Sequence, residues 1–416
     1  MLRIRQPSHR RPLGMVLILG ATGLGSAHAG QRVTFNPIIG IGYGVTENVS
    51  YLDDPTATNS TDSTASLTLT LPVERQYRNG SWGLEYQGSA TLYDANRALD
   101  NIASYLTSSY QVSVARRSEL SISGVYVRTQ EQAVPREKPD SATGDQLFLG
   151  ERQELQSYGI GLGYALSISP VWSWSVTGSA GRTRSSAIDG YQDDTEGLAR
   201  QDSISYSART RIDRRRSERF SVGAEYAFNR YNLANEGPED VHALALAWDR
   251  KIGRASSLSG GLGWYQRSRE AAAGSSDTYR SEGVLGSIAY GRPLANGLSA
   301  SVGVSIAPTS GGTLQGTSTN GTITAYLNGH RSERWSWQVG GYHSIRVSSD
   351  EATPTLEISS VTAAVESSLG RGVGVRLQAS WANQSSDVEG YAEGEYYAAS
   401  LGCVWYPLGR TRLAGG

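Results

Sequence analysis

Among the side chains that most often carry catalysis or hold metals, this 416-residue chain has five histidines and one cysteine. His9 and His28 fall in the N-terminal segment, and His330 stands in a basic turn. His242 and His343 sit at the loop-side ends of apolar runs, where an Asp and a Ser would complete a surface protease or lipase. Such an enzyme needs nucleophile, base and orienter to converge, and nothing in the spacing pairs them. The paired Cys/His spacing that zinc sites require is missing as well. Gly40-Ile41-Gly42-Tyr43-Gly44 and Gly159-Ile160-Gly161-Leu162-Gly163 look superficially like phosphate-binding glycine loops. They read instead as strand alternation, with no helix following. The expectation is a chain with no catalytic residue, no metal ligand and no cofactor.

The chemistry that remains is that of a lining. Glu74, Glu85, Glu225, Asp249 and Glu366 share one polar face with Arg209, Arg211 and Arg376. Between them lie runs of small residues, such as Ser173, Ser175, Thr177 and Ser179, or Ala243, Ala245 and Ala247. Selectivity in a pore follows from its diameter and lining charge. Small side chains with few, nearly balanced charges therefore predict a wide lumen with weak preference among small ions. Tyr105, Tyr265, Tyr326, Tyr342 and Tyr396 fall on the same face. They either fill space near the rim or offer ring faces on which sugars stack.

The elements that position this lining are strands. Along the chain, runs of about ten residues alternate apolar with small or polar side chains, eighteen times. Successive strand residues point to opposite faces, so each run has one apolar and one polar face, and all nine tryptophans take the apolar one. A soluble sandwich would bury those tryptophans against a core. Here the opposite face is mostly Gly, Ser, Thr, Ala and Gln, which cannot form one. An apolar face without charge at strand centres, backed by a polar face, fits a closed barrel with lipid outside and water inside. The fold class expected is all-β, a transmembrane antiparallel up-and-down barrel of about 18 strands. The runs around 284–290 and 323–327 are the weakest, which makes sixteen the alternative count.

Connections alternate in length. Short ones fall at Arg78-Asn79-Gly80-Ser81, Arg116-Arg117-Ser118, 213–217, Gly253-Arg254-Ala255, His330-Arg331-Ser332 and Gly370-Arg371-Gly372, and nearly all are basic. Long ones fall near 47–65, 129–154, 182–202, 266–280, 308–320, 344–356 and 382–394; acidic pairs such as Asp53-Asp54, Glu239-Asp240 and Asp350-Glu351 mark the loop side. Short periplasmic turns and long outer loops are the habit of outer-membrane barrels. Trp82, Trp172, Phe220, Trp248, Trp335 and Trp405 stand beside short turns; Tyr43, Tyr206, Trp264, Trp381 and Tyr397 stand beside long loops. Amphipathic rings prefer the headgroup level, so these are two interface belts. Residues 1–29, with Arg3, Arg5, Arg10 and Arg11, a short apolar stretch and Ala27-His28-Ala29, read as a signal peptide. The barrel is assigned to 30–406 and a periplasmic tail to 407–416. Cys403 reads as a small apolar residue on the lipid face. A net charge of −1 gives no footprint for nucleic acid.

The opening 36–49 (Asn-Pro-Ile-Ile-Gly-Ile-Gly-Tyr-Gly-Val-Thr-Glu-Asn-Val), turn-plus-strand units such as 216–222 (Arg-Ser-Glu-Arg-Phe-Ser-Val), and the closing 385–406 hairpin resemble the outer-membrane β-barrel porin family encoded with exopolysaccharide secretion systems of Gram-negative bacteria. The resemblance covers the whole mature chain. Two features depart from it: ten residues follow Trp405-Tyr406, and Glu47-Asn48 stands where family members often carry Asp-Asn. The resemblance implies a passive outer-membrane conduit exporting a polysaccharide or another secreted polymer, with no catalytic residues. Implied partners are outer-membrane lipid and lipopolysaccharide, the polysaccharide, and a periplasmic export protein that meets the Arg-rich turns. A general diffusion or uptake porin is the alternative, marked by a loop folded inward, for which 129–154 is the candidate. A surface enzyme or adhesin scaffold would need a polar cluster among the outer loops.

Overall fold

In the computed structural model, residues 33–407 are described except 48–60, 95–99, 132–152, 188–201, 234–236, 254, 271–278, 295–296, 311–316, 333, 349–354, 371 and 388–393. The expected signal peptide, nearly all of the expected tail and most of 129–154 lie outside the described residues. Strands follow one another as β1 (Val33–Phe35), β2 (Ile38–Glu47), β3 (Asp62–Tyr77), β4 (Gly80–Tyr93), β5 (Asn101–Ala115) and β6 (Ser118–Glu131). Next come β7 (Gln153–Ser167), β8 (Trp172–Ala187), β9 (Ser203–Ser217), β10 (Phe220–Leu233), β11 (Glu239–Ile252) and β12 (Ser256–Arg269). The remainder are β13 (Tyr279–Pro293), β14 (Leu298–Ser310), β15 (Thr317–Ser332), β16 (Trp335–Ser348), β17 (Leu356–Gly370), β18 (Val373–Ser386) and β19 (Gly394–Trp405).

Each strand pairs antiparallel with its sequence neighbours, and β19 closes the sheet on β2 from Tyr397↔Glu47 to Trp405↔Ile39. β1 and β2 are one strand interrupted at Asn36-Pro37: both keep a single register against β3, from Phe35↔Val73 to Ile38↔Thr70. Proline offers no N–H to the ladder, so the interruption falls where a donor is missing. The result is a closed barrel of eighteen antiparallel strands, and the two weakest runs form β13 and β15. Closure leaves no unpaired edge for lipid to meet.

Strand parity sorts the faces as expected. Ile41, Leu162, Leu246, Leu262 and Leu401 are all more than half exposed, and they share the outer face with the tryptophans. Every expected lining residue takes the opposite parity. Ring-bearing residues lie flat over cross-strand glycines: Trp248 covers Gly260 and Trp337 covers Gly329, where an added Cβ would run into the indole.

Boundaries differ from the sequence expectation in a consistent way, because the ladder runs beyond the apolar alternation. The segment 213–217, expected as a turn, is the end of β9, and the turn is Glu218-Arg219. His330 and Ser332 likewise belong to β15. Glu239 and Asp240, read as loop acids, begin β11, and Arg267 lies in β12. A bilayer needs only roughly 9–11 residues per strand, and the extra turns of ladder stand in water, where neither face need be apolar.

One seam is short. β13 and β14 pair only from Gly286↔Ile306 to Pro293↔Ser299, eight pairs against thirteen on each neighbouring seam. On the loop side, 279–285 stays with β12 while 307–310 stays with β15. The loop-side end of the β14–β15 pair therefore leaves the wall.

Candidate functional site: the barrel lumen

Where that strand end goes is fixed by its contacts. Leu262 and Trp264 on β12 are exposed on the outside, so Tyr265 and Arg267 point inward. Tyr265 Oη shares a hydrogen bond with Thr319 Oγ1 at 2.9 Å, and Arg267 Nη2 donates to the Ser318 carbonyl at 3.0 Å. Arg346 Nε on β16 donates to Ser318 Oγ at 2.7 Å. The start of β15 thus crosses the inner face of the barrel and is tied there from two sides. Beneath it Arg267 pairs with Glu239 of β11 at 3.2 Å, with side-chain exposures of 1% and 2%. Tyr93, Val241, Leu356, Ile358, Ala382, Gln384 and Tyr396 are buried at this same end, all with inward parity. Among the described residues the narrowest packing of the lumen is therefore at the long-loop side.

Toward the short turns the interior opens. Arg211 is the hub of a charge network there: it bonds Asp213 at 2.8 Å, reaches Asp249 at 3.5 Å, and lies 3.9 Å from Glu225. Arg209 meets Glu225 at 3.3 Å. Asp213 was assigned to a turn by sequence, and only the longer β9 brings it into the lumen. Across the barrel, Glu366 and Arg376 are directly opposite on β17 and β18, and Tyr406 Oη donates to Glu366 at 3.3 Å. Glu74 and Glu85 face inward on β3 and β4, each accepting a hydrogen bond from a glutamine two residues on. The lining charges are met by neighbours and not gathered into a ring of one sign.

This arrangement gives a direct expectation. Two guanidiniums and three carboxylates in the Arg209, Arg211, Asp213, Glu225, Asp249 network sum to −1, and Arg211→Ala makes that −2. Reversal potentials across a potassium chloride gradient should move toward cation preference. An unchanged permeability ratio would show that ions do not pass this sector.

The inward tyrosines divide. Tyr265 and Tyr396 are buried and present no free ring face, so they fill space at the loop end. Tyr326 lies over Gly340 of the neighbouring strand. Tyr105 and Tyr342 are inward and partly open. Trp82, Trp172, Trp248, Trp335 and Trp405 occupy the short-turn ends of their strands, Trp264 and Trp381 the long-loop side. Arg214 stacks over the Trp172 ring at 5.3 Å.

The histidines resolve into belt residues. His242 Nδ1 bonds Tyr226 Oη at 2.8 Å on the outer face. His343 Nδ1 bonds Ser359 Oγ at 2.9 Å, and its Nε2 lies 3.4 Å from Glu357, a serine–histidine–carboxylate chain on the outside of β16 and β17. An acyl-transfer site also needs donors for the oxyanion. The strand holding Ser359 is paired on both sides, to His343 and to Asn383, so its backbone N–H groups are committed to the ladder. Among the described residues no group of three or more His, Cys, Asp or Glu is placed to hold a metal ion.

Fold and lining together define a membrane-spanning β-barrel of the outer-membrane type with a polar interior. No family model matches the chain, and no curated protein matches it. Among solved structures it is similar to the ferric citrate transporter FecA in its unliganded form, at 12% identity and TM-score 0.48, covering 85% of this chain and 60% of FecA. It is also similar to OccK2 (OpdF) of Pseudomonas aeruginosa, at 14% identity and TM-score 0.47, covering 90% and 98%. OpdQ of the same organism matches at 10% identity and TM-score 0.47, covering 90% and 97%. Likeness at this level carries nothing about cargo, and the architecture rests on the strand pairing.

Proposed function

We propose that this barrel is an outer-membrane pore through which a polysaccharide, or another secreted polymer, leaves the periplasm without catalysis. The observation that carries the reading is the inner face itself. Rows of hydroxyls run across the strands, such as Ser109, Ser123, Ser179 and Ser207, which successive pairings align on either side of Gly161. Ser179 and Ser207 are hydrogen-bonded to each other at 2.7 Å. Such a surface exchanges hydrogen bonds with hydroxyl groups as readily as with water, so a polyhydroxylated chain slides without leaving any group unpaired. Barrels of this strand number enclose an aqueous channel. The driving force would come from synthesis at the inner membrane, with a periplasmic partner delivering the chain to the basic turns.

The inward-turned end of β15 supports a second reading, a diffusion porin for small solutes, since a lumen narrowed from within sets a size limit. Planar-bilayer conductance of the refolded mature chain separates the two. With the host's purified extracellular polysaccharide present, an export conduit should show current blocked by the polymer. A conductance indifferent to it would favour the porin.

A further inference from the structure

We propose that the short-turn mouth holds a built saccharide subsite, on the inner face of β15 to β18, that selects neutral over polyanionic chains. This deepens the export reading and rests on it. A concavity of about 710 Å³ opens there. Two cross-strand rows line it. The upper row runs Asn328↔Gln338↔Ala364, and the lower runs His330↔Ser336↔Glu366↔Arg376. All of these side chains have inward parity. Asn328, Gln338, His330 and Ser336 are exposed to the lumen, while Glu366 and Arg376 are half-buried.

Shape comes from two places. Ala364 interrupts the row of carboxamides with a methyl group and leaves a dent between Gln338 and the next strand. Pro293, Leu294 and Gly297 form the rim: Gly297 has φ of +75°, and a Cβ there would run into the His330 imidazole. Only glycine lets the backbone approach so closely.

The chemistry selects the ligand. Each carboxamide presents two N–H donors and an acceptor, the complement of neighbouring hydroxyls on a sugar ring. The Glu366 and Arg376 pair adds planar donors and acceptors at zero net charge. Among the residues that line the concavity, a polyanion would find one guanidinium, already facing a carboxylate, and gain little. The subsite lies at the short-turn mouth, where a chain leaving the periplasm first meets the lumen.

The test is current block by maltohexaose, a neutral hexasaccharide, added to the short-turn side of the full-length refolded pore. Saturable interruptions are expected, with hexagalacturonate at equal concentration giving far fewer. Asn328→Ala with Gln338→Ala should weaken maltohexaose block about fivefold to tenfold, as loss of one to two net hydrogen bonds implies. Ala364→Trp, which fills the dent beside Gln338, should abolish it. Block that is unchanged in both variants, or reproduced by polyethylene glycol of matched size, would overturn the subsite. Failure of the export reading shows elsewhere, as normal surface polysaccharide in cells lacking the pore, and leaves the maltohexaose measurement standing.

Discussion

Arg267→Ala is expected to raise single-channel conductance and to make the open current noisy. The wild-type guanidinium does two jobs: it neutralises Glu239, and it donates to the Ser318 carbonyl that anchors the start of β15. Removing it strands a carboxylate that is 2% exposed, a situation that costs about 3–5 kcal/mol. Relief comes from proton uptake by Glu239, whose carboxyl pKa burial already raises to about 7, and from movement of the β15 end off β12, which lets water reach Glu239 and widens the lumen. The β13–β14 seam already stops at Gly286↔Ile306, so no pairing to β13 has to break, and the β15 end would move together with the β16 segment it pairs with.

Two companion variants separate latch from fold. Tyr265→Phe removes only the hydrogen bond to Thr319, worth about 1 kcal/mol, and should give the same change in smaller measure. Glu239→Gln combined with Arg267→Met removes both charges together and should be milder than Arg267→Ala, since no buried charge is left behind. If Arg267→Ala inserts, resists heat like the parent and conducts identically, the inward strand end does not limit the pore.

This latch was out of reach of sequence reasoning, and the reason is physical. Alternation reports which face meets lipid, so it registers only the span of each strand inside the bilayer. Leu246, Trp248, Leu262 and Trp264 mark β11 and β12 clearly. Glu239 and Arg267 lie past the last lipid-facing residue of their strands, where polar side chains on both faces look like loop. The same limit hid Asp213, placed in a turn because 213–217 is uninterruptedly polar. What was legible was what lipid enforces: eighteen strands and the parity of each lining residue. A signal existed for the rest. Isolated inward charges, such as Arg267 two residues from Tyr265, sit in the same parity as the lining. Extending that parity past the belt would have brought Arg267 and Glu239 onto the inner face, though not into contact with β15.

The parity assignment itself meets its hardest test at β7. Leu162→Arg should sharply reduce the folded fraction in vesicles, because an arginine facing lipid near the bilayer midplane costs about 2–4 kcal/mol. Leu162 is 57% exposed on the outer face, in line with Ile122 and Gly178 of the flanking strands, so no polar neighbour stands ready to receive a guanidinium. One residue earlier the outcome should reverse. Gly161 points inward between Ser123 and Ser179, in the one gap of a row of hydroxyls. A Cβ there meets only the Ser123 Oγ closely, the rotatable end of a short side chain. Gly161→Ser therefore completes the row, and the variant should fold and conduct like the parent. Heat-modifiable migration on gels and urea titration in vesicles would read both variants side by side. A register slip of one residue exchanges every lipid-facing side chain for a lumen-facing one. Equal damage from the two substitutions would therefore put the wrong face in lipid and remove the basis for every lining residue named above.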